Sequence, residues 1–203
     1  MTLDGSYNND AQLADTGLGG AAGSATATVN VMTPSAVNTM KGAGTITQLP
    51  GAAGKYIDTS KVDDVTYSFG LKYNLKGTSP QGQITISIPQ SDGSTIFIKS
   101  NSITSVAINA TTKTATVYTK ANISRNVSDG MGGLSITALE SSVTLRMDVK
   151  DGGSSAMDQM GFTVISSKTS ELYYSNDWIY DTTLKLWKTR LSNMSGGYAV
   201  VIG

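Results

Sequence analysis

The chain has no histidine and no cysteine among its 203 residues. Their absence excludes Ser-His-Asp and Cys-His nucleophilic catalysis, thiol redox chemistry and the usual His/Cys zinc sites. Charge is scarce too: charged residues make up 15% of the chain, against about 25% in an ordinary globular protein. The 15 basic and 15 acidic residues cancel, leaving none of the basic excess that a nucleic-acid binder carries. No run approaches the roughly 18 apolar residues of a membrane-spanning helix. Glutamate is nearly missing: 13 of the 15 acidic residues are Asp, and only Glu140 and Glu171 are Glu. Helices favour Glu on their surfaces, whereas Asp favours turns and caps, so this skew argues against helix.

What fills the gap is hydroxyl and glycine: 25 Ser, 26 Thr and 22 Gly. Much Thr, Val and Ile with many turn residues reads as an all-β protein. The clearest segment is 65–76. There Val65, Tyr67, Phe69, Leu71, Tyr73 and Leu75 fall on one face, and Thr66, Ser68, Gly70, Lys72, Asn74 and Lys76 on the other. Twelve residues of period two leave no room for a helix. Residues 83–88 repeat the pattern with Ile84, Ile86 and Ile88, and Asp92-Gly93 marks a hairpin before 95–99. Further strands are expected at 103–108, 114–119, 134–139, 143–149, 162–165, 172–175, 184–187 and 198–202. Strands recurring this often between Gly, Asn, Asp and Ser turns predict a two-sheet antiparallel β-sandwich, immunoglobulin-like or jelly-roll-like.

The amino-terminal part differs. Residues 1–23 are rich in Gly and Ala near their end and show no apolar period, which predicts a flexible or extended lead-in. Residues 24–32 then alternate, with Ala25, Ala27, Val29 and Val31 on one face, and Pro34 ends the strand. The expected organisation is an extended leader and strand over 1–34, open to exchange with a neighbouring subunit, and a sandwich over 35–203. The opening Met-Thr-Leu-Asp-Gly has neither a basic n-region nor an apolar h-region. The sequence therefore reads as cytosolic, already processed, or part of something longer, and the lack of Cys does not decide among these.

Three groups of residues carry candidate chemistry. Gly51 to Lys55 resembles a phosphate loop only superficially, because Leu49 stands where the first Gly belongs and Tyr56 where Ser or Thr would hold magnesium. Acids at 148, 151, 158, 177 and 181 lack the spacing of a paired-carboxylate glycosidase and lie where turn chemistry alone explains Asp. Asp148, Asp151 and Asp158, and separately Val62-Asp63-Asp64, are the best oxygen-ligand clusters for calcium, although neither follows the EF-hand pattern. Both Trp and four Tyr fall within 173–198. Of these, Trp178 and Tyr180, beside Asn176, Asp177 and Asp181, are the candidates for stacking on sugars, against ordinary aromatic packing in strands. Sequons at Asn109, Asn122, Asn126 and Asn193 arise readily at this Ser/Thr content.

The stretches Gly42-Ala-Gly-Thr-Ile46, 65–74 and 78–83, together with 145–153, 158–164, 171–177 and 196–201, resemble a module at the carboxyl-terminal ends of bacterial secreted or surface multi-repeat proteins. Residues 23–31 are similar to the last strand of cadherin-like or immunoglobulin-like surface repeats. The resemblance implies a non-catalytic extracellular β-sandwich used in adhesion, spacing or display. It leads to the expectation of a cell-surface fibre or adhesin subunit that associates with itself through strand edges. Ala25, Ala27, Val29 and Val31 would form the inserting strand, and Tyr198 and Val200 its ladder neighbour. The alternative expectation is a calcium-assisted carbohydrate-binding module using Trp178 and Tyr180. Neither involves nucleic acid or membrane insertion.

Overall fold

A computed structural model describes residues 5–12, 24–31, 39–60, 64–73 and 79–202. The chain divides into two compact units, Met1–Pro34 and Ser35–Gly203. In the first, β1 (Gly5–Gln12) pairs antiparallel with β2 (Ser24–Val31), so that Ala25 faces Ala11, Ala27 faces Asn9 and Val29 faces Tyr7. The lead-in, expected to be flexible or extended, contributes a strand whose backbone groups pair with the edge of β2. Val62 and Asp63 lie outside the described residues. So do the side chains of β2 and of Val200, for which only the backbone pairing is given.

The second unit begins with β3 (Thr39–Ile46) and β4 (Val65–Tyr73), followed by β5 (Pro80–Pro89) and β6 (Thr95–Asn109). It continues through β7 (Thr114–Ser128), β8 (Leu134–Lys150), β9 (Gln159–Ile165) and β10 (Leu172–Ser175). These eight strands form one antiparallel meander, each bonded to the next. A separate hairpin joins β11 (Trp178–Asp181) to β12 (Leu186–Thr189). The chain then returns: β13 (Ser192–Asn193) pairs with β9, and β14 (Gly196–Ile202) pairs with β3. No helix occurs among the described residues.

The expected all-β, antiparallel class holds. The strands expected to divide between two sheets share one hydrogen-bonded order, and several expected strands merge. Segments 95–99 and 103–108 are one strand of 15 residues, and 134–139 with 143–149 are one of 17. What looked like breaks in the alternation are register shifts at Ser100/Ser102, Ile103/Ser105 and Ala121/Ile123. An extra residue there resets the pattern without ending the strand. Strand β3 escaped the sequence reading because Gly42 and Gly44 interrupt its apolar alternation. Both are needed: a Cβ on Gly42 would collide with the Phe69 ring, and one on Gly44 with the Gly196 backbone of β14.

One face of the meander is buried through β4, most of β5 and β9, the first part of β6 and of β7, and the second part of β8. Val65, Tyr67, Phe69 and Leu71 point inward from β4, and Ile84, Ile86 and Ile88 from β5. Val143, Leu145, Met147 and Val149 do so from β8, and Met160, Phe162 and Val164 from β9. The alternation read from the sequence is therefore the alternation of core and surface. With no helix to cover that face, the sheet covers itself. The Tyr67 and Phe162 rings lie 5.6 Å apart although four strands separate β4 from β9 in the hydrogen-bonded order. The Tyr67 hydroxyl donates to Met194 Sδ at 2.8 Å, within the short link between β13 and β14. Ile98, fully buried, and Lys99, exposed, are chain neighbours on opposite faces of β6. Ile98→Ala should cost about 3 kcal/mol of unfolding free energy, whereas Lys99→Ala should stay within about 0.5 kcal/mol. Urea denaturation curves for the two variants check this.

Candidate functional site: an aromatic cleft on the outer face

The side chains that alternate out of the core on β7, β8 and β9 form a floor: Tyr118, Thr144, Arg146, Asp148, Thr163 and Ile165. Over it stands the β11–β12 hairpin, contributing Trp178, Leu184, Leu186, Trp187, Lys188 and Thr189. Between floor and hairpin lies a cleft of about 470 Å³, within the range of roughly 300–1,000 Å³ usual for small-molecule sites.

Local chemistry explains the hairpin. Asp181 Oδ1 accepts the backbone N–H groups of Thr183 and Leu184, both at 2.9 Å, which folds the turn. Its carboxylate is also ion-paired with Lys188 across the two strands. The Lys188 hydrogen bond, then the Leu184 N–H, hold the Asp181 carboxyl below the usual carboxylate range. Register places Trp178 opposite Thr189 and Tyr180 opposite Trp187. The two indoles stack at 6.2 Å between centroids with 11° between planes. Tyr180 meets Trp187 edge-on at 5.6 Å, the geometry that aromatic quadrupoles favour.

The hairpin is anchored at its base by buried polar groups. Asn176, 1% exposed, accepts the Phe162 N–H at 2.7 Å and donates to Ser192 Oγ at 2.9 Å and to the Met160 carbonyl at 3.3 Å. Asp177 accepts from Arg190 Nε at 2.7 Å, and its carbonyl accepts the Arg190 N–H at 2.8 Å. The Trp178 N–H donates to the Gly51 carbonyl at 2.7 Å. Such an anchor fixes where the indoles stand.

On the floor, Arg146 and Asp148 form a two-pronged ion pair, Nε to Oδ2 at 2.8 Å and Nη2 to Oδ1 at 3.0 Å. Thr116 Oγ1 donates to the same Asp148 at 2.7 Å. The guanidinium lies 5.6 Å from the centre of the Tyr118 ring, a cation–π arrangement. Burial works against the Arg146 charge, but the Asp148 hydrogen bonds and charge outweigh it, so the pKa is raised.

The structure separates the residues singled out from sequence. Trp178 lines the cleft; Tyr180 does not, but braces Trp187 from the side and is 48% exposed. Asp148 belongs to the cleft floor, whereas Asp151 and Asp158 border a shallow depression of about 280 Å³ with Lys113 and Tyr198. Asp158 is buried, and its two oxygens accept the backbone N–H groups of Gly152 and Ala199, each at 2.9 Å. The three aspartates grouped as calcium ligands therefore do not converge, and among the described residues no three acidic side chains gather at one point. Tyr198 and Val200 of β14 pair with Ala43 and Lys41 of β3 in their own sheet. Trp187, Tyr118 and Arg146 were missed as site residues. Tyr118 had a signal: it is an aromatic in the outward register of β7, where Thr116 and Lys120 are its polar neighbours.

The described residues form an all-β scaffold with an aromatic and hydroxyl-rich cleft on its outer face. Compared with protein-family models, curated proteins and solved structures, the chain matches none.

Two outcomes test the site's construction. Asn176→Ala strands the Phe162 N–H and the Ser192 hydroxyl and should cost about 3 kcal/mol, with a red shift of tryptophan fluorescence as the indoles loosen. Asp92 and Glu140, like Asp181, titrate below the usual range: hydrogen bonds from Ser94 come first for Asp92 and from Tyr173 for Glu140. Because the folded pKa values lie below the unfolded ones, their stabilisation is complete above the ordinary carboxylate pKa of about 4 and fades as pH falls through the folded values. With no His in the chain, the melting temperature should be level from pH 8 to about pH 5 and drop only below about pH 4. Thermal melts across that range check the sign.

Proposed function

We propose that this chain is a non-enzymatic extracellular carbohydrate-binding module whose ligand seat is the β11–β12 cleft. The observation that carries the reading is the stacked Trp178–Trp187 pair facing Tyr118 and the Arg146–Asp148 ion pair. A sugar ring presents apolar C–H faces to aromatic walls and hydroxyls at its rim, where Thr144, Thr163, Arg146 and Asp148 offer donors and acceptors. Both cations lining the cleft are already paired, Arg146 with Asp148 and Lys188 with Asp181, so the seat favours an uncharged saccharide. Binding without hydrolysis also fits, because among the described residues Asp148 is the one carboxylate lining the cleft and glycosidases use two.

Titration against a panel of neutral and acidic oligosaccharides tests this. A neutral glycan should bind, Trp187→Ala should weaken it at least tenfold, and chelation by EDTA should change nothing. Absence of binding across the panel, or binding indifferent to Trp187→Ala, would overturn the reading.

A second proposal keeps the expectation of a surface fibre or adhesin subunit and the resemblance to terminal modules of bacterial multi-repeat proteins. In its favour, β14 ends the strand order beyond β3, where an added strand such as β2 of a neighbouring copy could extend the ladder. In this reading the continuous meander works as a two-sheet sandwich. β6, β7 and β8 pass from one layer to the other at their register shifts, as strands do at sandwich corners. Deleting residues 1–34 should then abolish polymers seen by light scattering; assemblies unchanged by the deletion would sink it.

A further inference from the structure

The borders of the large sheet are not treated alike. Along β10, residues 53–56 lie as a cover: Ala53 and Ser175 exchange two backbone hydrogen bonds, and Lys55 and Tyr56 donate to Leu172 and Tyr173. On β14, the Ala199 N–H is taken by the Asp158 carboxylate. The second half of β6 runs beyond its pairing with β5, but it is polar there, with Asn101, Ser102, Thr104 and Ser105, and the Tyr73 hydroxyl donates to its Val106 carbonyl. The first half of β8 is different. β9 joins β8 only from Thr144 onward, so 134–139 is bonded to β7 on one side and to nothing described on the other.

That open edge is apolar and exposed. Leu134, Ile136 and Leu139 are 58%, 63% and 40% exposed. The six residues Leu134-Ser-Ile-Thr-Ala-Leu139 contain no charge and no proline. Natural sheets defend an open edge with lysine, proline or an inward charge, since unpaired backbone groups recruit another strand. Residues 134–139 carry none of these defences.

We propose that this edge pairs with the same edge of a second copy of this chain, in an antiparallel two-fold arrangement centred on Ile136. The sequence is self-complementary in that register. Ile136 meets Ile136 of the copy, and Leu134 meets Ala138 in both directions. These three residues share one face of the strand, where their β7 partners are the polar Asn126, Ser128 and Ser124. The six apolar side chains of the two copies thus form one continuous row on the joined sheet. Charges stay apart: Glu140 falls opposite Gly132 and Asp129 opposite Val143, so no like charges oppose each other. A symmetric contact of this kind closes on itself, giving a dimer and not a filament. A contact of one short strand lies at the small end of specific interfaces, so the dimer is concentration-dependent. The proposal is independent of what the cleft binds.

The test is sedimentation velocity of the whole chain over a wide concentration range, with Ile136→Lys beside it. The expected result is a shift from monomer toward dimer that Ile136→Lys abolishes while circular dichroism is unchanged, since the side chain is exposed. A mass that stays at 21.1 kDa at every concentration, or a dimer or open-ended polymer indifferent to Ile136→Lys, overturns the proposal. Because the chain has no Cys, single-cysteine variants read the register directly. Paired strand residues sit about 4.5–5.5 Å apart between Cα atoms, which a disulfide spans. Ile136→Cys should therefore form a covalent dimer on mild oxidation faster than Met131→Cys, although Met131 is 91% exposed. Equal or reversed rates would refute the register.

Discussion

A sheet with one apolar face must bury that face, and this chain has no helix among its described residues with which to do so. Much of what the second unit does follows from that constraint. The sheet has to turn until its own strands meet, which is why β4 and β9 touch through Tyr67 and Phe162 across four intervening strands. It is also why the chain returns after β12 to place β13 beside β9 and β14 beside β3. Gly42 and Gly44 on β3 leave the room that this closure requires. Asp158 seals the same region, its buried carboxylate holding backbone N–H groups from the 152 loop and from β14. Removing a charge of that kind would expose unsatisfied donors, so Asp158 is structural where the sequence suggested a ligand.

The outer face inherits its character from the same period of two. Every inward Val, Leu or Met of β7–β9 is followed by an outward residue, and the outward set includes Tyr118, Thr144, Arg146, Asp148 and Thr163. On an open sheet these would be scattered surface residues. The β11–β12 hairpin converts them into the floor of a cleft by standing two indoles over them. The division of labour is clear: rigid strands position the floor, and a short hairpin with buried anchors positions the wall.

The sequence disclosed the core far better than the site. Alternation is a local property, so 65–73 and 84–88 could be read directly, with inward and outward residues assigned correctly. Merged strands could not, since a register shift imitates a strand end within one chain and is recognised only against its partner. The cleft depends on residues more than 60 positions apart, Tyr118 and Trp187 among them, and no spacing rule links these. The aromatic cluster at 173–198 was visible, and Trp178 was singled out from it. Trp187 was passed over because only the hairpin register brings the two indoles together. The aspartate cluster misled for the opposite reason. Asp148 and Asp158 are ten positions apart in sequence, yet one lies on the outer face beside Arg146 and the other is buried beneath β14.

The ion pair and the backbone hydrogen bond between Asp177 and Arg190 bring together the two points where the chain leaves and rejoins the sheet. Twelve residues hang between them. The last, Thr189, still grips the sheet through a hydroxyl shared with those of Thr163 and Ser175, so it is the stretch 179–188 whose length can vary with least disturbance to the meander. The wall of the cleft can thereby be rebuilt apart from its floor, which stays with the strands of the meander.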